Sequence, residues 1–109
     1  MMPLPAEVGV AELSSALEHG AYVVDVREPY EYDEGHVPGA RSMPMNTIPD
    51  RHDEFPRDRT VYLVCAVGAR SMQVARYLDQ LGFDVRNVEG GTSEWIGAGF
   101  PVKTGAEPG

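Results

Sequence analysis

The chain's single cysteine lies in Cys65-Ala66-Val67-Gly68-Ala69-Arg70-Ser71, between the apolar run Val61-Tyr62-Leu63-Val64 and an amphipathic segment ending at Leu81-Gly82. That pattern predicts strand, tight loop and helix, with the thiol at the turn. A sulfur placed there faces backbone N–H groups and the positive end of a helix macrodipole, and both favour thiolate over thiol. Free cysteine has a pKa of about 8.5, such sites lower it by one to several units, and each unit is worth about 1.4 kcal/mol. Gly68 permits the positive φ that a loop around a sulfur requires, and Arg70 adds a fixed positive charge with several donors. A half-buried cysteine at a strand end is the plainer reading of such a residue. Strand, thiol, glycine-containing loop, arginine and helix start occurring together favour a reactive one.

The elements that must hold this loop follow from the rest of the pattern. Residues 1–7 read as a Pro-containing lead-in, 8–102 as one domain and 103–109 as a solvated tail. Val8 to Val10 is expected as a short strand, and Ala11 to His19, with Leu13, Ala16 and Leu17 at helical spacing, as a helix stopped by Gly20. Ala21 to Val26 is continuously apolar up to Asp25, as in a strand covered on both faces. Pro29, the acids after it and Gly35 predict a short helix. His36 to Ala40 should turn, Arg41 to Met43 form an edge strand, and Asn46 to Glu54 hold one helical turn. Thr60 to Val64 is the strand before the cysteine, and Ser71 to Leu81 the helix after it, with Val74, Ala75, Leu78 and Leu81 on one face. Asp84 to Val88 is a further strand, and Ser93 to Ala98 a last helix around Trp95. Strands alternating with helices predict an α/β domain with a mainly parallel sheet, where a ligand site lies beyond the carboxyl ends of the strands.

The 109 residues suffice for one core, and 42% hydrophobic with 24% charged residues is an ordinary globular composition. A formal net charge of −8 argues against nucleic acid and anionic membrane as partners. One cysteine excludes an intramolecular disulfide and any paired-cysteine redox or zinc motif. Neither a signal-peptide pattern nor an apolar run of spanning length is present, so a reducing cytoplasm is the expected compartment.

With these pieces assembled, the sequence resembles the rhodanese family from about Val8 to Val102. The resemblance rests on DVREPYEYDEGHVPGARSMP at Asp25 to Pro44, CAVGARS at Cys65 to Ser71 and GGTSEWIGAGFPV at Gly90 to Val102. It implies a single rhodanese domain, with a five-stranded, mainly parallel sheet flanked by helices. It also implies transfer of sulfane sulfur through a persulfide on Cys65, from thiosulfate or another persulfide to cyanide or a thiol. The persulfide would be held by the backbone of Ala66, Val67, Gly68, Ala69, Arg70 and Ser71, with no metal or organic cofactor. A sulfur-relay protein is a further partner it allows, and a carrier module with little small-donor turnover is the alternative.

Four residues separate Cys65 from Arg70, one fewer than in the phosphatases and arsenate reductases related to this fold, which favours sulfur over phosphate. Many family members carry a cation or hydroxyl where this chain has Ala66 and Val67. Arg70 is then the only charge in the loop, which points to a persulfide donor no less than to thiosulfate.

Among the remaining candidates, Asp25 and Arg27 read as an ion-pair or hydrogen-bond brace in preference to a catalytic acid and base. His36, in a Gly- and Pro-rich turn, reads as structural, because a stabilised thiolate needs no base. Glu31 and Glu34 read as a solvated helix face, and Trp95 and Phe100 as core. Arg70 is open between facing substrate and bracing Glu89 or Asp25.

Overall fold

Strands buried on both faces need helices on both sides, and the chain supplies them in alternation. In the computed structural model, which describes residues 4–109, the order is β1 (Ala6–Val8), α1 (Val10–Glu18), β2 (Tyr22–Asp25), α2 (Pro29–Glu34) and β3 (Arg41–Ser42). It continues with α3 (Ile48–Arg51), β4 (Val61–Val64), α4 (Ala69–Gln80), β5 (Val85–Val88) and α5 (Gly91–Gly97). The five strands form one sheet in the order β1-β5-β4-β2-β3, and every pairing is parallel. This is the α/β architecture expected from the sequence.

Side chains alternate across a strand, so β4 feeds both faces. Val61, Leu63 and Cys65 join Val24, Val26, Ile48, Phe55, Val74, Ala75 and Leu78 in the core between the sheet, α3 and α4. Val64 faces the other way, joining Leu13, Val23, Val37, Val88 and Trp95 under α1 and α5. The cysteine therefore leaves β4 on the face that α4 covers, at the carboxyl end of the strand in the middle of the sheet.

Several boundaries differ from expectation. The first strand is Ala6–Val8, not Val8 to Val10, because pairing with β5 in the register Ala6↔Arg86 to Val8↔Val88 sets its extent, and Val10 already belongs to α1. Part of the lead-in, residues 1–3, lies outside the described residues. Helix α4 starts at Ala69, two residues before Ser71: Gly68 has φ +106°, and its carbonyl accepts the Met72 N–H at 3.1 Å. Arg70 therefore stands in the first helical turn. The segment from Met45 to Glu54 holds two 3-10 turns around α3, not one helical turn. Residues 103–109 are largely exposed yet tied to the body: Lys103 bridges His36 through both main-chain groups, Gly105 N–H donates to Asp33 O, and Gly39 N–H donates to Pro108 O. Among the described residues no helix is long and apolar enough to cross a membrane.

Candidate active site

Beyond β4 the backbone curls back on itself around the Cys65 side chain. Cys65 is 1% exposed, and the Gly68 N–H donates to its Sγ at 3.1 Å. The Ser71 hydroxyl lies 3.2 Å from the same sulfur. Burial resists ionisation of this thiol, but the Ser71 hydroxyl and the backbone N–H groups of Ser71, Gly68 and Val67 outweigh it, so its pKa falls below the ordinary cysteine value. The loop thus favours the anion without a partner base.

The base of the loop is held by the next element. Thr92 N–H donates to Cys65 O at 2.8 Å and Ser93 N–H donates to Ala66 O at 3.0 Å, so the first turn of α5 fixes the carbonyls of two successive peptides, Cys65–Ala66 and Ala66–Val67. This approach requires Gly91. Its φ is +56°, and a Cβ there would fall against Cys65 O and 2.6 Å from Ala66 O. In the sequence Gly90 and Gly91 stand only as part of a motif; in the structure Gly91 is the spacer beneath the loop.

Arg70 forms a fork on Glu31: Nη1 donates to Oε1 at 2.8 Å and Nη2 to Oε2 at 2.9 Å. The bracing partner is neither Glu89 nor Asp25, and Glu31 is not part of a solvated face. Glu31 Oε1 also accepts the Glu28 N–H at 3.1 Å, so the carboxylate is aimed by the start of α2 before it meets the guanidinium. Glu34 is exposed, as expected. The Arg70 hydrogen bond, with smaller help from the Glu28 amide and the charges of Arg70 and Arg27 and against the effect of burial, lowers the Glu31 pKa to about 2. Arg70 is correspondingly raised above its ordinary value by Glu31.

Because the folded pKa of Glu31 lies below its ordinary 4.5, the pair stabilises the fold in full above that value and loses its contribution as pH falls towards about 2. The expected result is that the melting temperature of Glu31→Gln lies below that of the parent at neutral pH, and that the gap closes through this acid window. Circular dichroism melts at stepped pH measure it, and a gap independent of pH would contradict the assignment.

Asp25 and Arg27 lie at the end of β2, both buried. Arg27 Nε donates to Asp25 Oδ1 at 3.0 Å, and Arg27 Nη2 donates to Asp25 Oδ2 and to Gly35 O, each at 2.8 Å. The pair thereby ties the end of β2 to the end of α2, the helix that carries Glu31. His36 is fully buried and stacked on Tyr32 with ring centroids 3.6 Å apart. Its Nδ1 lies 2.8 Å from Tyr32 O and its Nε2 2.9 Å from Glu107 O, so both nitrogens face main-chain carbonyls. Trp95 is 2% exposed, stacked on Phe100, with Nε1 donating to Pro101 O. The rim of the loop is apolar: Ala66 is half-buried, and Val67 is 65% exposed.

Residues 9–98 match the model of the rhodanese-like domain. The chain is 38% identical over 97 residues to the putative sulfurtransferase YtwF of Bacillus subtilis, an alignment covering 87% of this chain and 94% of that protein. It is 43% identical over 81 residues to a sulfurtransferase of Allochromatium vinosum, covering 73% of this chain and 76% of that one. Among solved structures, a rhodanese-related protein from Thermoplasma volcanium superposes with a TM-score of 0.86 at 31% identity, over 94% of this chain and 99% of that one.

Proposed function

The chain belongs to the rhodanese-like domain family, and from that premise we propose that it is a sulfurtransferase whose Cys65 carries the sulfur and whose preferred donor is a persulfide rather than thiosulfate. In the first step the Cys65 thiolate attacks the outer sulfur of the donor, R–S–S⁻. The new S–S bond forms as the donor's own S–S bond breaks, and the leaving thiolate takes the electron pair. In the second step an acceptor thiolate or cyanide attacks the outer sulfur of the Cys65 persulfide and regenerates the Cys65 thiolate. Two displacements through one covalent intermediate give ping-pong kinetics.

The observation that carries this reading is the pair of donors aimed at a buried sulfur, from Gly68 N–H and Ser71 O–H. They stabilise negative charge at Sγ, as attack and its reverse both require. Both His36 ring nitrogens face main-chain carbonyls, in keeping with a structural histidine and with a sulfur whose charge is stabilised by Gly68 and Ser71. With one cysteine in the chain, the thiol that resolves the persulfide is external.

The donor preference follows from Arg70. Its charge is the only one in the loop and is committed to both oxygens of Glu31, while Ala66 and Val67 offer methyl groups at the rim. Thiosulfate carries its sulfonate directly on the transferred sulfur and finds no free cation there. Glutathione persulfide carries its charges several bonds away. The expected kcat/KM for glutathione persulfide exceeds that for thiosulfate by about tenfold, the equivalent of one forgone ion contact of about 1.4 kcal/mol.

Steady-state transfer to cyanide and to glutathione, compared between the two donors, tests the proposal. Glu31→Gln, which frees Arg70, should raise kcat/KM for thiosulfate by about three- to tenfold, with a smaller change for glutathione persulfide. Equal use of both donors, or a fall with thiosulfate in Glu31→Gln, would overturn the donor assignment. Negligible turnover with either, alongside transfer from a persulfidated protein, would replace the enzyme by a sulfur carrier.

A further inference from the structure

The Ser71 hydroxyl has one proton and two acceptors within reach, Cys65 Sγ at 3.2 Å and Gly68 O at 3.3 Å. Only the first choice stabilises a thiolate. The outcome depends on how occupied Gly68 O already is, because a carbonyl oxygen has two lone pairs. One receives the Met72 N–H at 3.1 Å, the first hydrogen bond of α4. The other receives the Asn87 Nδ2 at 3.2 Å, from a side chain on β5 that is 1% exposed.

We propose that Asn87 is a positioning residue that turns the Ser71 proton onto the Cys65 sulfur by filling the remaining acceptor site of Gly68 O. The inference rests on the reading of Cys65 as the nucleophile and adds the residue that orients its hydroxyl partner. The orientation of the Asn87 amide is set chemically. Its Nδ2 also lies 2.9 Å from Glu7 Oε2 on β1, and a carboxylate and a carbonyl both only accept, so the two N–H bonds of the amide are spent on Glu7 and Gly68. The flipped amide would set Oδ1 against both acceptors.

Asn87 is also a costly choice for its position. Val85, two residues before it on the same face of the strand, is a buried apolar residue, and among the described residues the buried Asn87 Oδ1 has no hydrogen-bond partner. An aliphatic residue would avoid that penalty, and what it would lack is the hydrogen bond to the loop. Asn87 makes no hydrogen bond to the sulfur itself and acts through Gly68 and Ser71.

The test is a double-mutant cycle read by the pH midpoint of Cys65 thiolate formation, followed by ultraviolet absorbance against Cys65→Ser, which needs no reagent to reach a sulfur that is 1% exposed. Asn87→Val in the parent should raise the midpoint by about 0.5 to 1 pH unit, and in Ser71→Ala by less than about 0.2. The charged groups on neighbouring elements, Glu7, Asp25, Arg27, Glu31 and Arg70, are the same in both backgrounds, so the difference isolates the hydroxyl. Asn87→Ser, whose hydroxyl is too short to replace the amide, repeats the cycle should the valine variant fold poorly, with melting temperatures measured alongside. Equal shifts in both backgrounds would overturn the proposal. So would an unchanged midpoint with a lowered melting temperature, which is the signature of a merely structural asparagine. Sulfur transfer by the parent is assayed separately, so its absence would remove the sulfurtransferase reading while leaving the coupling between Asn87 and Ser71 intact.

Discussion

Cys65→Ser is expected to reduce sulfur transfer to the uncatalysed rate while leaving the fold in place. The side chain is nearly isosteric and the residue is fully buried, so packing around it in the α4-side core changes little. The chemistry changes completely. A serine hydroxyl ionises far above the working range, and the two donors that stabilise a thiolate cannot make up that difference. Removing a nucleophile outright typically costs many orders of magnitude, up to about a millionfold. Thiocyanate formation from glutathione persulfide and cyanide, compared with circular dichroism of the same preparation, measures both halves. Residual transfer within about tenfold of the parent would exclude Cys65 as the sulfur carrier.

The second large effect is expected at Gly91. Alanine there would set a methyl carbon against Cys65 O and within 2.6 Å of Ala66 O, at a φ of +56° that disfavours any Cβ. Both obstacles are backbone atoms of the loop and cannot rotate away. The left-handed conformation costs about 1–2 kcal/mol and overpacking against a rigid neighbour about 1–3 kcal/mol, a total of about 2–5 kcal/mol. Relief requires the α5 start to separate from the loop, breaking Thr92 N–H to Cys65 O and Ser93 N–H to Ala66 O. Gly91→Ala should therefore lose transfer activity as well as stability. Gly97→Ala provides the control, since an added Cβ there meets nothing within 4 Å among the described residues. A Gly91→Ala variant that kept the parental melting temperature and rate would contradict the close approach of α5 to the loop.

What was legible in the sequence was local. The strand, loop and helix around Cys65 announce themselves because the apolar run, Gly68 and the helical spacing of Val74, Ala75 and Leu78 lie within a few residues of one another. What was not legible is long-range. Glu31 has a sufficient local explanation as an acid in the first turn of a helix, and its partner Arg70 is 39 positions away, so nothing in the sequence selects it over Glu89 or Asp25. Asn87 did leave a signal, an amide that alternation places on the same face of the strand as the apolar Val85, but its acceptors come from β1 and from the loop. Gly91 was visible within a Gly-Gly pair. That a second chain segment lies against it is a fact of the packing. The offset of the first strand has a similar origin, since a three-residue edge strand carries almost no periodicity of its own.

Sulfur transfer by this chain requires a covalent intermediate at one atom, Cys65 Sγ. The direct measurement is the intact mass of the protein after brief anaerobic exposure to glutathione persulfide, before and after addition of cyanide, with Cys65→Ser treated in parallel. The expected result is a gain of one sulfur atom, its removal by cyanide with stoichiometric thiocyanate, and no gain in Cys65→Ser. Turnover of the donor by a protein that never gains the sulfur, or the same gain in Cys65→Ser, would contradict it.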